Sequence, residues 1–121
     1  MFKLETQSHN NGFTMTFENG YTVSVRWGWG NYCDNNHKRP VTYGARNCLP
    51  PLSSTEFYEC KTAEVAVWNQ EGTFLTPHGT LGGDVLAYRT SEEVASFLSE
   101  VSSWKPNKEF NNEPTNQGTM D

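Results

Sequence analysis

Between Arg26 and Arg46 the chain interleaves cations with aromatic rings: Arg26, Trp29, Tyr32, Lys38, Arg39, Tyr43 and Arg46 share one segment. A guanidinium offers a fork of N–H donors that matches phosphate, and an exposed ring stacks on a base for about 1–3 kcal/mol. The pattern predicts a nucleotide-type site. Arg26, Arg39 and Arg46 would hold phosphate, Trp29, Tyr32 or Tyr43 would stack, and Lys38 would add charge. Trp, Tyr and Arg also dominate protein–protein hot spots, so a protein partner is the alternative, and a merely solvated basic loop is the plain one. Trp27, in the same segment, reads as core. Trp29 lies between Gly28 and Gly30, whose backbone freedom lets a large ring protrude or fold over a ligand.

A second constellation is Cys33, His37, Cys48 and Cys60. Three thiolates and an imidazole make a tetrahedral zinc set, but there is no paired Cys-x-x-Cys. A thiolate at Cys33 or Cys48, activated by His37 or His78, would be a Cys–His nucleophile, yet no signature surrounds either cysteine. Gly79-Thr80-Leu81-Gly82-Gly83 has no following Lys-Ser or Lys-Thr, and Gly28-Trp29-Gly30 opens no evident helix, so neither reads as a phosphate loop. The expectation is a non-enzymatic protein with no catalytic residues, metal or cofactor. A small zinc module or Cys/His enzyme is the weaker alternative.

Net charge narrows the partners. The chain of 121 residues carries −5 overall, but the segment from Arg26 to Arg46 carries +3 and the remainder −8. An acidic protein lacks the broad basic surface that unspecific nucleic-acid binding needs. Three cysteines at irregular spacing form no disulfide framework. The first residues, Met-Phe-Lys-Leu-Glu-Thr, carry no signal-like apolar run, and no stretch reaches the roughly 20 apolar residues of a membrane span. These features predict a protein of a reducing cytoplasm, without membrane contact.

The elements that must position these residues are read from periodicity. Phe13, Met15 and Phe17 alternate with polar residues, as do Tyr21, Val23, Val25 and Trp27. With Asn19-Gly20 between them they predict a hairpin closed by a type I′ turn. From Gly28 to Leu52 glycines and prolines break the pattern, so a long loop is expected, with a short strand near Val41-Thr42-Tyr43. Phe57 to Cys60 reads as a short edge strand, and Ala63 to Trp68 as a strand buried on both faces. Asn69 to Gly72 reads as a turn, Thr73 to Leu75 as a return strand and Asp84 to Tyr88 as a last strand. Thr90-Ser91-Glu92-Glu93 is a capping box ahead of an i, i+3, i+4, i+7 stripe of Val94, Phe97, Leu98 and Val101. The helix ends before Pro106, and Trp104 folds back on the sheet. The fold class is α+β: a small antiparallel, hairpin-rich sheet with one C-terminal amphipathic helix packed on it. Residues 1–104 form a single domain, and the Asn/Pro/Glu-rich residues 105–121 read as a disordered tail.

The segment from Asn19 to Asn35 (Asn-Gly-Tyr-Thr-Val-Ser-Val-Arg-Trp-Gly-Trp-Gly-Asn-Tyr-Cys-Asp-Asn), the strand Ala63 to Trp68 and the helix start Thr90 to Val94 together resemble small accessory proteins of tailed bacteriophages. The resemblance covers about half of the chain and brings no catalytic motif. It implies a host-takeover or anti-defence role in the host cytoplasm. A further likeness, of architecture only, is to phage anti-defence sponges that sequester nucleotide signals. The resulting expectation is a non-enzymatic phage protein that binds a host nucleotide signal through the Arg26–Arg46 loop, as a possible homo-oligomer. Its alternative is an acidic inhibitor of a host protein.

Overall fold

The computed structural model describes residues 1–6, 11–36, 39–40, 51–52 and 59–106. The order is β1 (Phe2–Thr6), β2 (Asn11–Thr16), β3 (Thr22–Trp27), β4 (Arg39–Pro40), β5 (Pro51–Leu52), β6 (Thr62–Trp68), β7 (Phe74–Leu75), β8 (Leu86–Thr90) and α1 (Ser91–Ser102). Six strands form an antiparallel sheet in the order β1-β2-β3-β6-β7, with β8 paired to the start of β6 on the edge that β7 takes at its end. β4 and β5 form a separate parallel pair. The α+β class, the antiparallel sheet and the C-terminal helix are as the sequence predicts. β1 was not anticipated.

Alternation decides which face the helix covers. Tyr21, Val23 and Val25 of the first hairpin, Ala63, Val65 and Val67 of β6, and Leu75 are buried together with Val94, Phe97 and Val101 of α1. Phe13, Phe17, Trp27, Leu86, Leu98 and Trp104 pack around them, half-buried. The opposite face carries Thr14, Ser24 and Ala66 in one register row and Arg26 beside Glu64 in the next. The helix starts at the expected capping box: the Glu93 N–H donates to Thr90 Oγ1 at 3.2 Å and the Thr90 N–H to Glu93 Oε1 at 2.9 Å. Trp104 does fold back, meeting Tyr21 edge-to-face at 5.1 Å and Phe97 at 6.4 Å.

The first turn corrects the expectation. The Gly20 N–H donates to the Phe17 carbonyl and the Phe17 N–H to the Tyr21 carbonyl, so the loop holds Glu18, Asn19 and Gly20. Gly20 has φ 97°, and Asn19 keeps a negative φ. This is a three-residue loop with glycine in the left-handed position, not a two-residue type I′ turn. The same pattern recurs at Asn69–Thr73, with Gly72 at φ 84°, and at Thr76–Thr80, with Gly79 at φ 86°. The longer loop gives the Asn19 side chain a task. Its Nδ2 donates to the carbonyls of Val101 at 2.8 Å and Trp104 at 3.0 Å, while its Oδ1 accepts from the Tyr21 N–H at 3.2 Å. The hairpin turn thereby adds donors to carbonyls at and just beyond the end of α1, beside the cap N–H of Trp104 that Val101 also accepts.

Other expectations differ in detail. Glu59 and Cys60 lie outside any strand, and the last strand runs Leu86–Thr90 rather than 84–88. The Val41–Tyr43 strand and residues 107–121 of the tail lie outside the described residues. Asn19→Ala removes three hydrogen bonds, two of which join the first hairpin to the end of α1 and one of which is local to the turn. It is expected to lower stability by about 1–3 kcal/mol in urea unfolding, with an unchanged m-value.

Candidate functional site

The sheet's topology creates the site. β3 and β6 are antiparallel neighbours, with Arg26 opposite Glu64. The chain therefore leaves β3 and re-enters β6 at the same end of the sheet. Residues 28–36 and 59–61 must lie side by side there, and everything between them is an insertion on a closed neck. Hydrogen bonds stitch the neck. The Asp34 N–H donates to Thr62 Oγ1 at 2.9 Å, the Thr62 hydroxyl donates to Asp34 Oδ1 at 3.0 Å, and Asn35 Nδ2 donates to the Glu59 carbonyl at 3.0 Å.

Residues 28–36 are wound on themselves and fastened to β6. Asn31 N–H donates to the Gly28 carbonyl and Asn36 N–H to the Cys33 carbonyl, while Asn36 Nδ2 reaches the Asn31 carbonyl at 2.7 Å. One oxygen of Glu64, Oε1, accepts from both Asn31 Nδ2 and the Tyr32 N–H, each at 3.1 Å. The Tyr32 carbonyl in turn accepts from the Tyr88 N–H at 2.9 Å. Both backbone groups of Tyr32 are thus bound, while its side chain is 55% exposed.

Tyr88 was not foreseen, and its conformation is unusual. Ala63 pairs with Arg89 and Val65 with Leu86, so Ala87 and Tyr88 together oppose Glu64 as a β-bulge. Tyr88 has φ 57°, the one positive φ outside glycine among the described residues. A bulky residue in the left-handed region costs stability and is found where a side chain must be aimed. The bulge takes the Tyr88 N–H out of the ladder and gives it to Tyr32. It leaves a second tyrosine, 49% exposed, beside the first.

Two thiols lie at the neck, one on each segment. Cys33 is fully buried, and its Sγ accepts from the Gly28 N–H at 3.3 Å and lies at the same distance from the Gly28 carbonyl oxygen. Cys60 is half-buried and hydrogen-bonded to Cys33. The bond from Cys33 stabilises the Cys60 thiolate, and the backbone N–H groups of Thr62 and Asn35 add to it against burial and the nearby Asp34 charge. The result brings its pKa down to about 6. Donating that bond, together with burial, pushes the Cys33 thiol well up.

The predicted ligand residues separate. Tyr32 is exposed, as a stacking residue must be. Trp29, expected to protrude, is half-buried. Arg26 is half-buried on the open face, its Nε donating to Ser24 Oγ at 2.9 Å, with Glu64 as its register neighbour. An acid beside it weakens Arg26 as a phosphate clamp. Arg39 is placed as the first residue of β4, and Lys38, Tyr43 and Arg46 lie outside the described residues, as do His37 and Cys48. Among the described residues no three His, Cys, Asp or Glu side chains gather as metal ligands. His78 is exposed in a turn, its N–H donating to Thr76 Oγ1 at 3.3 Å. A groove of about 340 Å³ at the other end of β3, lined by Thr16, Glu18, Thr22, Trp68, Asn69 and Gln70 among others, contains one acid and no cation. It does not suit an anion.

Sequence reasoning missed Glu64, Thr62 and Tyr88. A carboxylate inside Ala-Glu-Val-Ala-Val-Trp was the legible signal for Glu64. Among the described residues no helix is long and apolar enough to cross a membrane. No protein-family model, curated protein or solved structure matches the chain.

Glu64→Ala is expected to cost about 2 kcal/mol, because it strands two donors. Hydrogen exchange at the Tyr32 amide should quicken more than exchange in β2. Alkylation of Cys60, followed by peptide mapping, should rise through about pH 6 and be flat at neutral pH; a thiol of ordinary acidity would still be rising near about pH 8.5.

Proposed function

We propose that this chain is a non-enzymatic phage accessory protein that works by binding, with the surface around Tyr32 and Tyr88 as its recognition site. The observation that carries this reading is two exposed tyrosines on adjacent backbones, one fixed at both peptide groups and the other held at positive φ. Aromatic rings on a pre-set backbone lose little entropy on binding. The partner we favour is a host protein. Tyrosines are hot-spot residues, and the rest of the chain carries strong negative charge, including Glu92, Glu93 and Glu100 on the exposed side of α1. A basic host protein in the host cytoplasm fits that surface.

The second reading is a nucleotide-type signal. It is favoured by the exposed Tyr32 ring just ahead of Lys38 and Arg39 in the chain, with Arg46 as a further phosphate ligand and a second copy closing the pocket.

One comparison separates the two readings. The wild-type chain and a Tyr32→Ser/Tyr88→Ser variant, matched for folding by circular dichroism, are used as baits in bacterial lysate. A host protein retained by wild type and lost at least about 30-fold on the variant supports the first reading. Identical retention on both baits overturns it. A melting-temperature rise with a linear or cyclic nucleotide that Arg39→Ala/Arg46→Ala abolishes supports the second.

A further inference from the structure

We propose that Cys33 and Cys60 form a dithiol modification site at the neck of the 34–59 insertion, closed to an intramolecular disulfide by a low-molecular-weight disulfide. Three features carry the inference. The antiparallel β3–β6 pairing brings the two segments together, so the cysteines meet despite their distance in sequence. The neck's hydrogen bonds between Asp34 and Thr62 and between Asn35 and Glu59 hold the two cysteine-bearing segments side by side. Burial differs between the two: Cys33 is fully enclosed and Cys60 is half-buried, so an incoming reagent meets Cys60 first.

The chemistry then runs in a fixed order. The Cys60 thiolate attacks one sulfur of the small disulfide. Its S–S bond breaks, a mixed disulfide forms on Cys60, and the first small thiolate leaves to take a proton from water. Cys33 loses its proton to solvent, and its sulfur attacks Cys60 Sγ. The Cys33–Cys60 bond forms as the second small thiolate leaves and is protonated. Two protein sulfurs are oxidised, one small disulfide is reduced to two thiols, and no other reactant is consumed. The Gly28 N–H holds the Cys33 sulfur before the reaction. In a reducing cytoplasm such a bond is transient, which suits a signal rather than a structural staple. Closure would tie the base of the insertion that carries Lys38, Arg39 and Arg46, independently of what that insertion or the tyrosines bind.

The test treats the full chain with oxidised glutathione and follows intact mass and peptide maps over time. The expected course is a glutathione adduct on Cys60, then loss of that glutathione as the thiol to give a species two hydrogens lighter than the starting chain, whose Cys33 and Cys60 peptides are linked. Cys48→Ser should behave as wild type. Cys33→Ser should stop at the Cys60 adduct; because Cys33 is buried, the order of adducts in quenched wild-type samples gives the same information if that variant folds poorly. Linkage through Cys48, or a Cys48→Ser chain that accumulates glutathione adducts without closing, would overturn the proposal.

Discussion

The pairing of β6 with β3 is the constraint from which the rest of this molecule follows. It joins the N-terminal hairpins to the C-terminal half, with Val23 opposite Val67 and Val25 opposite Val65. Those four valines are the floor on which α1 lays Val94, Phe97 and Val101. The pairing must close a long loop, but the entropy of closure grows only with the logarithm of loop length. A long insertion at this point is therefore cheap, provided its two ends are held. The neck holds them with side-chain hydrogen bonds rather than with further strand pairing.

One residue of β6 serves both purposes. Glu64 lies on the face that α1 does not cover, so its carboxylate is free of the core and can fasten Asn31 and Tyr32. The bulge opposite it removes Tyr88 from the ladder and turns it toward the same loop. Carboxylate and bulge sit at one register position, and they fix the Tyr32 backbone from two sides. A bulge weakens a sheet, and a left-handed tyrosine weakens it further. The sheet tolerates both because β6 is central and its other neighbour, β3, is fully paired there.

Local features were legible in the sequence and non-local ones were not. The capping box at Thr90 and Glu93, the apolar stripe of α1 and the alternation of β2, β3 and β6 depend on neighbours a few residues away. Asn19-Gly20 marks the turn but not its three-residue form. Its extra loop residue is favoured by contacts of Asn19 with Val101 and Trp104, at the far end of the chain. β1 is hard to read from sequence although Phe2 and Leu4 show period two, because five residues at an edge give little signal and both residues remain exposed. The meeting of Cys33 with Cys60 depends on topology alone. Nothing in the type of Tyr88 announces a positive φ, which sequence patterns reserve for glycine and asparagine.

The same distinction bears on what the surface recognises. The charged pattern from Arg26 to Arg46 suggested phosphate chemistry because cations and rings were close in sequence. In the fold that segment divides at the neck. Arg26 stays with the sheet beside Glu64, Trp29 is half-buried, and Tyr32 is presented on a backbone held by Glu64 and Tyr88. Lys38, Arg39 and Arg46 follow later in the chain. The contacts that fix the backbones of Tyr32 and Tyr88 at this edge of the sheet come from a carboxylate and a bulge and use none of these cations.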